Sequence, residues 1–135
     1  MTPEEKARQK IDQWFTDAGW EVINRDDYEP TCTAVAIREG LLKGNLEADY
    51  FLFINGKAVG VLEAKREETD AFSSIVCEQA ALYARSVPNI YQTYQKPLPF
   101  IFTSNGKELY FCDFREQDHY FKQIMTIPTP HELVK

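Results

Sequence analysis

The chain reads as a mixed α/β domain: one β-sheet with helices packed against it. Three observations predict this. An amphipathic helical pattern opens the chain, two apolar strand-like runs meet at a tight turn near its middle, and a second helical stretch separates them from another strand pair. The predicted order is α-β-β-β-α-β-β.

Each element has its own signal. Over residues 3–19, Ala7, Ile11, Trp14, Phe15 and Ala18 recur at helical spacing. Thr2 and Glu5 match a capping box, Pro3 suits the first helical position, and Gly19 suits the stop. Trp20, Val22 and Ile23 begin a short extended piece, and the polar run 24–32 with Pro30 reads as a loop. Thr33 to Arg38 forms a strand, and Glu39 to Asn45 leads to a hairpin of strands 47–54 and 57–65. Asp70 is placed to cap a second helix over about 71–86, which Pro88 must follow. Phe100 to Thr103 and Lys107 to Cys112 pair around Ser104-Asn105-Gly106. The tail after Asp113, with Pro128 and Pro130, reads as irregular.

Bulk properties narrow the class. A length of 135 residues fits one domain with a single core. The apolar runs are too short to span a bilayer, and the acidic, helix-like N-terminus is not a secretory signal. Cys32, Cys77 and Cys112 are odd in number and lack a CxxC, so neither a disulfide framework nor a zinc site is expected, and a cytoplasmic location is the default. The net charge of −6 argues against gripping nucleic acid by bulk electrostatics. It is compatible with an acidic metal site, which adds negative charge of its own.

The central hairpin carries the chemistry. Asp49 stands near the start of its first strand, and Glu63-Ala64-Lys65 closes its second. A two-residue Asn55-Gly56 turn with unbroken pairing puts Asp49 on the face opposite Glu63 and Lys65, because a one-residue register change flips every side chain. A three-residue loop, or an equivalent bulge, puts all three on one face with Phe51, Phe53, Val59 and Val61; this is the arrangement predicted. Tyr50, Leu52, Ala58, Gly60, Leu62 and Ala64 then line the other face. Asp49, Glu63 and the Ala64 carbonyl are suitable ligands for Mg²⁺, and Lys65 is placed to support an attacking hydroxide or a phosphorane. The same residues also read as a surface salt bridge on an ordinary hairpin.

The triplet in its strand context resembles the PD-(D/E)XK nuclease superfamily. It is most similar to the N-terminal nuclease domain of the restriction (R) subunits of type I restriction-modification enzymes. Ala7 to Asp12 with Ala18-Gly19-Trp20 looks like that domain's first helix and its end, and Val35 to Glu39 looks like its first strand. Ala48 to Phe53 with Val61 to Lys65 looks like its catalytic hairpin. Gln79-Ala80-Ala81-Leu82-Tyr83 looks like its Gln-xxx-Tyr motif, and Phe102 to Gly106 adds a weaker match. The usual "P" is here Ala48.

The resemblance implies a restriction-endonuclease-like mixed β-sheet flanked by helices, over a single domain 1–135. It implies cleavage roles for Asp49, Glu63 and Lys65, with Gln79 and Tyr83 completing the site or positioning DNA. Read from the residues alone, Gln79 and Tyr83 share an inward stripe with Phe72, Ile75 and Val76, which without the hairpin favours a buried polar pair in a helix–sheet interface. A first-helix glutamate binds metal in some superfamily members, which makes Glu5, then Glu4, a candidate ligand; the capping role of Glu5 competes. Glu39 reads as a solvated strand end, and His119 and His131 receive no role.

The implied function is a Mg²⁺-dependent endonuclease acting on double-stranded DNA. Specificity and methyltransferase subunits would join it through a full-length chain. ATP would enter only through a motor domain, which this sequence has neither the Gly-xxxx-Gly-Lys motif nor the length to hold. An excised nuclease domain is therefore expected, with a free-standing relative as the alternative. The competing class is a non-catalytic module that keeps the fold for protein docking or nucleic-acid binding.

Overall fold

The computed structural model describes residues 1–134. Its elements run α1 (Pro3–Asp17), β1 (Glu21–Asn24), β2 (Ala34–Leu41), β3 (Glu47–Ile54), β4 (Lys57–Ala64), α2 (Ser74–Ala84), β5 (Gln92–Thr93), β6 (Phe100–Ser104), β7 (Leu109–Asp113), β8 (Lys122–Ile124) and α3 (Pro130–Leu133). They form one mixed eight-stranded sheet of order β1-β2-β3-β4-β6-β7-β8, with β5 pairing beside β4. β1 runs parallel to β2 and β4 parallel to β6; β2-β3-β4 and β6-β7-β8 are antiparallel. α2 makes the crossover that a parallel β4–β6 pair requires.

Both sheet faces are covered, which is why the central strands are apolar on both sides. On one face Ile11, Phe15 and Trp20 pack over Tyr50, Leu52, Ile54, Val59, Leu62, Phe100 and Phe102, joined by Ile127 and Leu133 from the tail. On the other, Ala80, Tyr83, Ala84 and Val87 cover Phe51, Phe53, Ala58, Val61, Ile101 and Cys112.

The hairpin satisfies the predicted arrangement by its bulge. Its turn has two residues, Asn55 (φ 50°) and Gly56 (φ 80°), both left-handed as such a turn needs. Ile54 pairs with Lys57 and Phe53 with Ala58, but the next pair is Leu52 with Gly60. Val59 is the extra residue, and it shifts the register by one. Two expected positions exchange as a result. Val59 packs on the α1 face and Ala58 on the α2 face, because both precede the completed shift. Beyond the bulge, Phe51 pairs with Val61 and Tyr50 with Leu62, so the same register sets Asp49 opposite Glu63.

Other expectations need correction. The N-cap of α2 is Ser73, whose hydroxyl accepts from the Val76 amide; the Asp70 carboxylate instead accepts from the Phe72 amide at 2.9 Å, in a separate turn. The inward stripe of α2 holds Val76, Ala80, Tyr83 and Ala84, while Phe72 and Ile75 are 50% and 77% exposed. Starting the helix at Ser74 leaves Phe72 ahead of it and turns Ile75 outward. β2 continues past Arg38 to Leu41, and β5 forms in a polar run too short to carry a strand signal.

The tail is not wholly irregular. β8 pairs with β7, and α3 is a turn of helix with a full capping box at Thr129 and Glu132. Thr129-Pro130-His131-Glu132 repeats the Thr2-Pro3-Glu4-Glu5 pattern, so the signal for α3 was present. At α1 the Thr2 hydroxyl accepts from the Glu5 amide and also donates to the Glu5 carboxylate at 3.1 Å, which differs from a reciprocal box.

Candidate metal and cleavage site

The site forms where β3 and β4 leave the core. The Asp49 Oδ2 accepts from the Ala64 amide at 2.7 Å, which locks the first acid to the backbone of the second strand. Glu63 is 2% exposed, and its Oε1 has no hydrogen-bond partner among the described residues. Burial and the neighbouring Asp49 carboxylate push the Glu63 carboxyl up to about 10, with Lys65 opposing. Without a cation, Glu63 is therefore a neutral acid near pH 7. An unpartnered buried oxygen beside a second carboxylate is what a divalent ion relieves, so these residues fit one.

Lys65 is held from two sides. Its amide donates to the Ser104 carbonyl at 2.8 Å, and its Nζ donates to Gln79 Oε1 at 3.1 Å. Gln79 Nε2 in turn donates to the Tyr83 hydroxyl at 3.1 Å. Burial raises the Tyr83 phenol above its ordinary value, and Glu63 and Asp49 add to the rise. The structure thus gathers Asp49, Ala64 and Glu63 with Lys65, Gln79 and Tyr83 where β3 begins and β4 ends, in the middle of the sheet.

Glu5 does not join them. It lies exposed at the start of α1 with its carboxylate on Thr2, as its capping geometry dictates. Among the described residues, no three Asp, Glu, His or Cys side chains cluster closely enough to hold a metal. The donors this arrangement could offer a cation are two carboxylates and, as the expected third, the Ala64 carbonyl.

Arg8 also reaches this site, and no motif in the sequence marks it. It lies one turn after Glu5, and its guanidinium donates to Asp49 Oδ1. Asp12, a turn further on, takes the Tyr50 hydroxyl on one oxygen and Arg38 Nη2 at 2.9 Å on the other. The available signal was the i, i+4 pair of charges flanking the buried Ala7-Ile11-Phe15 stripe.

The sheet order, flanking helices and doubly covered central strands make this a restriction-endonuclease-like α/β domain. A solved fragment assigned to an HsdR subunit of a type I restriction enzyme from Vibrio vulnificus YJ016 has the same fold. Its TM-score is 0.63 at 22% identity, over 99% of this chain and 25% of that one. The family model "Type I restriction enzyme R protein N terminus" matches residues 35–120. The chain belongs to that family. No curated protein matches it significantly. The matched residues include Asp49, Glu63, Lys65, Gln79 and Tyr83, whereas α1 with Arg8 precedes them. Among the described residues, no helix is long and apolar enough to cross a membrane.

Proposed function

We propose that this chain is a Mg²⁺-dependent nuclease domain that hydrolyses DNA phosphodiester bonds within a type I restriction system. The buried, unpartnered Glu63 Oε1 beside Asp49, with Lys65 two residues on, carries the reading. Asp49, Glu63 and the Ala64 carbonyl would hold the ion. When bound, it acidifies a water and neutralises charge developing on phosphorus.

The chain's own groups do the rest. Glu63 would hold the ion as a carboxylate, its proton passing to solvent. Lys65, aimed by Gln79, offers an ammonium to the attacking oxygen or to a phosphate oxygen. Tyr83 fixes the Gln79 amide and thereby the Lys65 position. Double-stranded DNA is the substrate of this proposal; specificity and methyltransferase subunits, and an ATP-driven motor, would act through the full-length R protein. The deciding experiment is plasmid cleavage by the R-subunit assembly with and without Lys65→Ala. Cleavage should fall about 10²- to 10³-fold; undiminished cleavage removes the mechanism.

The net charge of −6 favours one other reading, a nuclease fold retained as a docking module. Calorimetry separates the two. Heat from Mg²⁺ or Mn²⁺ that Asp49→Ala abolishes supports the nuclease, and its absence supports the module.

A further inference from the structure

Arg8 divides its guanidinium between two acids. One nitrogen sits on Asp49 Oδ1, and Nη1 lies 3.4 Å from Glu39 Oε1. The β2–β3 register pairs Arg38 with Tyr50 and Gly40 with Ala48, which sets Glu39 opposite Asp49. Glu39, Asp49 and Glu63 therefore occupy one row across three strands, and Arg8 spans the first two. The two seats differ: the Asp49 side chain is 19% exposed and that of Glu39 is 60% exposed.

The Ala64 amide already takes Asp49 Oδ2, so Arg8 covers the other oxygen, Oδ1. A divalent ion there would face a guanidinium at contact distance, and like charges that close repel. Arg8 can leave without unpacking α1, because Asp12 anchors the helix to Tyr50 and Arg38 independently. Glu39 is held ready in a left-handed backbone (φ 54°), with its carbonyl taken by Arg25 Nη1 at 2.9 Å. That conformation is uncommon outside glycine and costs free energy.

We propose that Arg8 is an exchangeable counter-charge, seated on Asp49 without a divalent cation and transferred to Glu39 when one binds. This rests on the metal-site reading above and adds to it what balances the Asp49 charge in the absence of a cation.

The test is Mn²⁺ titration calorimetry on the whole chain as Arg8→Gln, Glu39→Gln and the double variant. Arg8→Gln should tighten Mn²⁺ about threefold to fivefold, and Glu39→Gln should weaken it by a similar factor, the range of an exposed ion pair. The double variant should match Arg8→Gln, because Glu39 acts only through Arg8. Arg8→Met supplies a second neutral background should Arg8→Gln fold poorly. Unchanged or weaker binding in the Arg8 variants overturns the proposal, and so do additive effects in the double variant, which would make Glu39 a plain field effect. If the unaltered chain binds Mn²⁺ and Glu63→Gln abolishes binding, either failure leaves the metal site standing. No binding by the unaltered chain removes both ideas.

Discussion

Lys65 and Gln79 meet across the β4–α2 boundary, the ammonium donating to the amide oxygen at 3.1 Å. The contact joins two motifs fourteen positions apart and gives each a role that neither has alone. Gln79 is a half-buried amide with both ends used, and Lys65 is a flexible cation held to one direction.

Gln79→Ala should therefore release Lys65 without touching the proposed metal ligands. DNA cleavage should fall about 10- to 100-fold, the scale on which small misplacements of a reacting group act. Mn²⁺ affinity should stay constant. A matching loss of Mn²⁺ binding in calorimetry would place Gln79 at the metal instead.

Glu63 sets the pH dependence of the metal-free fold. Its carboxyl titrates near 10 when folded and near 4.5 when unfolded. Below the lower value both states hold the proton. Between the two values only the folded state does, so stability falls as pH rises through this window. Glu63→Gln removes this dependence. In EDTA, its Tm advantage over the unaltered chain should grow steadily from pH 5 to pH 9. A constant difference would show that Glu63 is already ionised in the fold.

The same proton should appear when metal binds. Near pH 7, Mg²⁺ or Mn²⁺ binding should release close to one proton, because Glu63 must ionise to become a ligand. Titrations in buffers of different ionisation enthalpy measure this number. Affinity should rise about tenfold per pH unit in this range. Zero release would remove Glu63 from the ligand set.

Asn105 holds the segment that follows Lys65. It is 3% exposed; its Nδ2 donates to the Thr69 carbonyl at 2.9 Å, and its Oδ1 accepts from the Lys107 and Glu108 amides. Asn105→Ala should cost about 2–4 kcal/mol in urea unfolding, because the freed amides and carbonyl stay partly buried. Amide exchange over residues 66–70 should quicken. Normal protection there would show that the segment is held by other contacts.

Gly106 makes a separate demand. A Cβ on it would lie 2.9 Å from the Ala7 Cα, and its φ is 83°. Gly106→Ala should push α1 away and lower Tm by several degrees. An unchanged Tm would mean that the helix has slack at this point.

Periodicity and turn chemistry are local properties, so the sequence by itself determined α1, the central hairpin, the β6–β7 pair and the Asp49, Glu63 and Lys65 triplet as residues on that hairpin. The Thr-Pro-x-Glu cap was equally local, although its second occurrence at Thr129 went unread. Register is not local. A two-residue turn alone would have set Asp49 and Glu63 on opposite faces, and only the Val59 bulge, fixed by packing against both covering layers, brings them together. The seat of Arg8 on Asp49 and the clasp of Asn105 were likewise settled by the tertiary structure. They join residues 41 and 36 positions apart, and no spacing rule encodes which buried polar group will find which partner once the sheet has closed.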